Sequence, residues 1–267
     1  RVLTPSFLET IPWKEARAYP LDPKFLPVLI YMRDVEKLTE TYARQLERTP
    51  TARNPVIRRF LERWSSEEDL HGDLLHRFLL ETGQPDDPRW YDRLRREIPW
   101  GYWIRYRLTP LLTNRCGDDF VAVHMTWGAL QEYTTLTGYE RLWEAAGHPV
   151  LEHLLKAIAQ EESRHATFYW KMATIQLQRS KRRQQLTRWM VDHRDEVLSL
   201  LIDLGILLRE LRRRVPDGIQ EHPLAQLDRL PVKGICNADD LNPCHTYAPL
   251  IRLHRPPRRA TGGKDSG

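Results

Sequence analysis

The segments WSSEEDLHGDLL, residues 64–75, and IAQEESRHATFY, residues 158–169, decide how this chain folds. Each sets a Glu three residues before a His, Glu68 with His71 and Glu162 with His165. The stripe through the first runs Ile57, Leu61, Trp64, Glu68, His71, Leu75, Phe78, and that through the second Leu151, Leu155, Ile158, Glu162, His165, Tyr169, Met172. Apolar residues at such intervals form one face of an α-helix, and side chains three apart share that face. Both pairs therefore point toward a core, where an unpaired carboxylate or imidazole is costly. A metal ion held between them removes that cost, and a Glu plus His donor set suits iron or manganese. Scattered at random, 19 Glu and 10 His in 267 residues give about 0.7 Glu-x-x-His pairs. Here there are two, on separate helices, each preceded by a further Glu, as EEDLH and EESRH.

Outward from these segments the chain reads as an all-α bundle. A first helix is expected over about residues 24–49, stopping before Pro50. The second spans about 55–82, starting after Asn54-Pro55 and ending at Gly83. A third covers about 118–146, from Asp118 and Asp119 to Gly147; the fourth about 149–178; and a Leu-rich fifth about 184–214. Residues 84–117, with four Pro and with Trp90, Trp100 and Trp103, suggest a short-helix crossover that packs aromatics on the body. Residues 1–23 read as an irregular arm with Pro5, Pro12, Pro20 and Pro23. The expected organisation is one domain over 1–215, followed by a Pro-containing extension and loose tail over 216–267. No strand pattern and no tandem repeat is found.

A bundle that holds two metal ions with carboxylates needs one further acid from each of the other two helices. The third helix offers Glu132, in line with Met125, Ala129, Leu136, Tyr139 and Trp143. The first offers Glu36, on the line Leu29, Met32, Glu36, Thr39, Ala43, Leu46. Glu40 competes with it, but its line holds Arg33, Arg44 and Glu47 and reads as solvated. The resulting set is Glu36, Glu68, His71, Glu132, Glu162 and His165, in the chain order Glu, Glu-x-x-His, Glu, Glu-x-x-His.

With these residues in place the sequence resembles the soluble acyl-ACP desaturases, the ferritin-like enzymes typified by stearoyl-ACP desaturase. WSSEEDLHGDLL is similar to that family's second-helix motif, IAQEESRHATFY to its second Glu-x-x-His motif, and LQEYTT, residues 130–135, to its third-helix ligand segment. The likeness spans roughly residues 20–215. It implies a ferritin-like bundle with a di-iron centre in a four-helix core plus additional helices. It also implies an oxygen-dependent desaturase with two Fe2+ ions, O2 as co-substrate, a fatty acyl chain on acyl carrier protein as substrate, a ferredoxin-type electron donor and a homodimer. Thr135, three residues after Glu132, would sit beside the oxygen-binding face. Glu161 stands where the family usually has Asp and would accept a hydrogen bond from a ligating imidazole. The first helix departs from the pattern: a gap-free match through Thr41-Tyr42 puts the ligand acid on Lys37, which cannot ligate, whereas the stripe puts it on Glu36.

Composition excludes several other classes. The chain is 41% apolar, which rules out global disorder; 13 Gly and 3 Cys rule out collagen-like and disulfide-scaffold chains. No stretch of eighteen apolar residues occurs, so no transmembrane segment is expected. RVLTPSFLETIPW carries no signal-peptide pattern, which suggests a bacterial cytoplasm, or a plastid stroma if a transit peptide preceded Arg1. Cys116, Cys236 and Cys244 lack CxxC spacing and read as reduced thiols, with a Cys236–Cys244 bridge as the alternative. The net charge of +5 accords with acidic protein partners without demanding nucleic acid. Arg179, Lys181, Arg182 and Arg183 form either a docking patch or a solvated basic turn. TGGKDSG at 261–267 and RLHRPPRR at 252–259 are read as tail, and the GxGxxG fingerprint of a nucleotide site is absent. Three readings compete: another di-iron oxygenase such as an N-oxygenase or hydroxylase, an iron-storage bundle, and a bundle that has lost its metal. Iron per chain, oligomer size and product distinguish them.

Overall fold

The computed structural model describes residues 2–98 and 100–193, and among them eight α-helices and no strand. They are α1 (Pro5–Leu8), α2 (Leu26–Leu46), α3 (Pro55–Glu81), α4 (Trp90–Glu97), α5 (Trp100–Cys116), α6 (Asp119–Ala146), α7 (Pro149–Gln178) and α8 (Lys181–Asp192). The four long helices α2, α3, α6 and α7 match the expected segments to within three residues at each end. Local chemistry sets their limits. Asn54 Oδ1 accepts from the amides of Val56 and Ile57 at 2.9 and 3.3 Å, and Pro55 opens α3 without a wasted N–H. Gly147, with φ at +58°, closes α6 in the left-handed region that a side chain disfavours. His148 then caps α7, its Nδ1 accepting from Leu151 N at 3.2 Å.

Most helix contact lies within two pairs, α2 with α3 and α6 with α7. Above and below the middle, the space between the pairs is apolar. At one end Leu29, Met32, Leu75, Phe78, Tyr139, Leu142, Leu151, Leu155 and Ile158 are buried together. At the other, Leu46, Ile57, Leu61, Trp64, Met125, Ala129 and Tyr169 are. Each Leu or Phe so enclosed contributes roughly 2 kcal/mol. At Gly128 a Cβ would come within 2.3 Å of the Tyr169 ring, so the missing side chain is what lets α7 lie so close to α6.

Three expectations need correction. The arm is not irregular throughout: α1 and the 3-10 turns Trp13–Ala18 and Pro23–Phe25 order it, and Leu3, Ile11, Trp13 and Ala16 are buried in the first apolar cluster. Prolines start these turns rather than break them, since the first turn of a helix has no use for the missing amide. The crossover is more than short helix: α5 runs seventeen residues with Pro110 inside it. It is tied down by Gln45 Nε2 on the Tyr106 carbonyl at 3.1 Å and by Asn114 Nδ2 on the Arg48 carbonyl at 2.8 Å. In the basic turn, Arg183 is buried, donating to Asp119 Oδ1 at 3.1 Å and to Gln176, while Arg182 pairs with Asp119 at 3.0 Å. Arg183 therefore holds α8 onto α6 and α7 and offers no charge to a partner. The fifth helix expected over 184–214 is described only as far as Asp192; the rest of it, Cys236, Cys244, the extension and the tail lie outside the described residues.

Candidate metal centre

Between the helix pairs the core turns polar. Glu36 from α2, Glu68 and His71 from α3, Glu132 from α6, and Glu162 and His165 from α7 are all buried there. Their ligand atoms fall into two groups, Glu36, Glu68, His71 and Glu162, and Glu68, Glu132, Glu162 and His165, each with its atoms within 4.8 Å of one another. Glu68 and Glu162 belong to both. All six residues singled out from the sequence are thus brought together.

The first helix resolves its register in space. Glu36 points inward and accepts a hydrogen bond from the buried hydroxyl of Tyr139. Lys37 turns the other way, its Nζ 2.5 Å from Asp69 and 2.7 Å from Asp73 on α3, and its stem crosses Gly72, where a Cβ would meet it at 2.6 Å. Glu40 stays at the surface, paired with Arg44. Thr135 is half-buried on α6, three residues and about one turn beyond Glu132.

Each imidazole is held from behind by the acid that precedes the other motif. Glu161 Oε2 lies 3.2 Å from His71 Nε2, and Glu67 Oε2 lies 2.8 Å from His165 Nε2. Glu67 was not singled out from the sequence, although the doubled Glu in EEDLH carries the same signal as that in EESRH. Trp64 Nε1 donates to Glu132 Oε1 at 2.9 Å. With their Nε2 atoms so engaged, both rings turn Nδ1 into the cluster, 3.0 Å from Glu162 for His71 and 3.0 Å from Glu68 for His165.

The electrostatics are those of a crowded anionic site. Burial, then the neighbouring carboxylates, pushes Glu36 well above the ordinary range, Glu68 up to about 7 and Glu132 up to about 8. Burial acts the same way on Glu162, but the two close imidazoles outweigh it and hold its carboxyl low. Burial would lower His71; contacts with Glu161 and Glu162 overcome it and raise the ring to about 9, and His165 is raised likewise by its four carboxylates.

The donor set fits metal ions on a further observation. Glu36 Oε2, Glu68 Oε1, both Glu162 oxygens, His71 Nδ1 and His165 Nδ1 are buried facing one another, close enough for charge contacts but without a well-aligned hydrogen bond. Native cores rarely leave such atoms unsatisfied, and these six converge on one place. Lone pairs from carboxylate and imidazole, with both imidazoles oriented by outer carboxylates, are what a divalent iron or manganese ion would satisfy.

Among the described residues no helix is long and apolar enough to cross a membrane. Cys116 is a free, half-buried thiol remote in sequence from the cluster residues. Compared with known proteins, residues 26–190 match a family model described as fatty acid desaturase. The matched span begins with α2 and ends within α8, and so contains every residue of the cluster. No curated protein and no solved structure matches the chain.

Proposed function

The chain belongs to the fatty acid desaturase family, and from that premise we propose that it is an oxygen-dependent acyl-ACP desaturase working with a pair of iron ions. The observation that carries the reading is the convergence of four carboxylates and two imidazoles, of which Glu36, Glu68, Glu162, His71 and His165 turn buried atoms toward the cluster that make no hydrogen bond. Glu36, Glu68, His71 and Glu162 would hold one ion, and Glu68, Glu132, Glu162 and His165 the other. Two irons bound there would supply, with dioxygen, the redox chemistry that unactivated C–H bonds require and that side-chain acids and bases cannot supply.

The chain's own residues do the rest. Glu161 and Glu67 fix the two imidazoles with Nδ1 inward. Tyr139 and Trp64 each donate to one terminal carboxylate, Glu36 and Glu132, and limit its rotation. The apolar residues above and below the cluster exclude water. Thr135, on the Glu132 face of α6, is read as the polar group beside the oxygen-binding side. Acyl carrier protein and a ferredoxin-type donor, both acidic, suit a chain of net charge +5, and the active form is read as a homodimer.

The test is turnover with ferredoxin, its reductase, dioxygen and a series of saturated acyl-ACPs, with the fatty acids analysed for a double bond. A monounsaturated product is expected. Hydroxylated acids from the iron-loaded protein would instead favour a hydroxylase, and many irons per chain in a shell-like assembly a storage protein.

A further inference from the structure

The two outer carboxylates are held by different means. Glu67 is held by side chains, Arg63 Nε at 2.9 Å and, farther off, Arg164 Nη2 at 3.9 Å. Glu161 takes Arg164 Nη2 at 2.8 Å and, on the same Oε1, two backbone amides from the far end of the sequence, Val2 N at 2.5 Å and Leu3 N at 3.3 Å. The segment that supplies them is anchored beside the cluster. Leu3 is buried in the apolar core, Thr4 Oγ1 caps α1 by accepting from Phe7 N at 3.2 Å, Phe7 stacks on His153 of α7, and the Arg77 guanidinium of α3 lies 4.2 Å from the Trp13 ring. The arm thus bridges the two helices that carry the Glu-x-x-His motifs.

We propose that this arm belongs to the outer shell of the metal centre: the amides of Val2 and Leu3 position Glu161, Glu161 fixes His71, and arm docking thereby tightens metal binding at the His71 end of the cluster. The inference rests on the metal-centre reading above and adds that the two ends of the cluster respond differently. Backbone amides cannot change rotamer, so with the arm seated Glu161 is fixed more rigidly than the half-exposed, flexible Arg164 side chain would hold it. Groups that orient a ligating imidazole change metal affinity by about 10- to 100-fold when lost. Coupling of this kind is reciprocal, so metal at the His71 end must also tighten the arm.

Two measurements on the full chain, with Mn2+ alone as the redox-inert probe, test it. In the wild type, hydrogen exchange at the amides of residues 2–10 should slow several-fold on Mn2+ addition, more than at the exposed end of α8; unchanged exchange in the arm would overturn the proposal. V2P, which removes the shorter amide contact, should weaken one of the bound Mn2+ ions about 10-fold, while V2A, which keeps the amide, should leave both within twofold. Equal affinities in V2P and V2A, with both folded by circular dichroism, would also overturn it. If V2P does not fold, the exchange result on the wild type decides. Failure of the wild type to bind Mn2+ at all is a different outcome, which removes the metal-centre reading and this inference together.

Discussion

His71 on α3 and Glu161 on α7, ninety residues apart in sequence, meet with Nε2 and Oε2 3.2 Å apart, and His165 and Glu67 repeat the contact with the helices exchanged, at 2.8 Å. Each EE-x-x-H segment therefore does two jobs: its second Glu and its His turn to the cluster, while its first Glu reaches across to steady the imidazole of the other segment. The consequence is a near-symmetric site in which neither helix can shift without disturbing both ends. The symmetry fails at the donors to the outlying acids, Tyr139 for Glu36 and Trp64 for Glu132, and at the periphery, where Arg63 holds one outer acid and the N-terminal arm the other.

Because Glu68 and Glu162 are common to both ligand groups while each His belongs to one, the substitutions should separate by stoichiometry. After Fe2+ or Mn2+ loading and dialysis, H71A and H165A are each expected to keep one ion per chain, and E162A none. Metal analysis of the folded variants checks this. Two ions retained in E162A would contradict the ligand assignment.

Gly128 should be intolerant of a methyl group. A helical Gly→Ala change gains about 1 kcal/mol in propensity, but the Cβ would sit 2.3 Å from a fully enclosed Tyr169 ring, and overpacking of that kind costs about 1–3 kcal/mol. G128A is expected to lose up to about 2 kcal/mol in urea denaturation. G138A is the contrast: its Cβ meets only the flexible end of Met32, at 3.1 Å, so it should be neutral or slightly stabilising. The opposite order would show that α6 and α7 pack less closely than described.

His124 should make the fold acid-sensitive. It is buried among Tyr42, Phe120 and Tyr169, its Nδ1 lies 3.0 Å from Thr51 Oγ1, and burial lowers its ring to about 3. An unfolded His titrates near about 6.5, so between that pH and about 3 the unfolded chain binds the extra proton. Stability from this residue is therefore complete above pH 6.5 and falls as pH drops, by up to about 1.4 kcal/mol per pH unit. The urea midpoint of H124Q should depend less steeply on pH than that of the wild type between pH 6.5 and 4.5. Parallel profiles would assign the acid sensitivity elsewhere.

Much of this was legible in the chain itself. The stripes on 55–82, 118–146 and 149–178 gave helices whose ends agree with α3, α6 and α7, because Asn54-Pro55, Gly83, Gly147 and the run of apolar positions act locally. Glu36 over Glu40 was also readable, since the rotation of about 40° between positions four apart on a helix decides whether a carboxylate lines up with Leu29 and Met32 or with Arg33 and Arg44. The arm and the crossover were less so: Pro5, Pro23 and Pro110 look like breakers in a string of letters, yet begin or sit within helices when neighbouring surfaces cover the backbone they leave.

Sequence alone determined which residues could serve a metal, because donor type and helical spacing are properties of single segments. Tertiary structure alone decided how those donors are shared and steadied. That Glu68 and Glu162 stand between two ligand groups, that Glu67 serves His165 rather than its own neighbour His71, and that Val2 and Leu3 reach Glu161 all depend on how α3 and α7 face each other. Contacts between residues about ninety or more positions apart arise from packing, which no local period encodes.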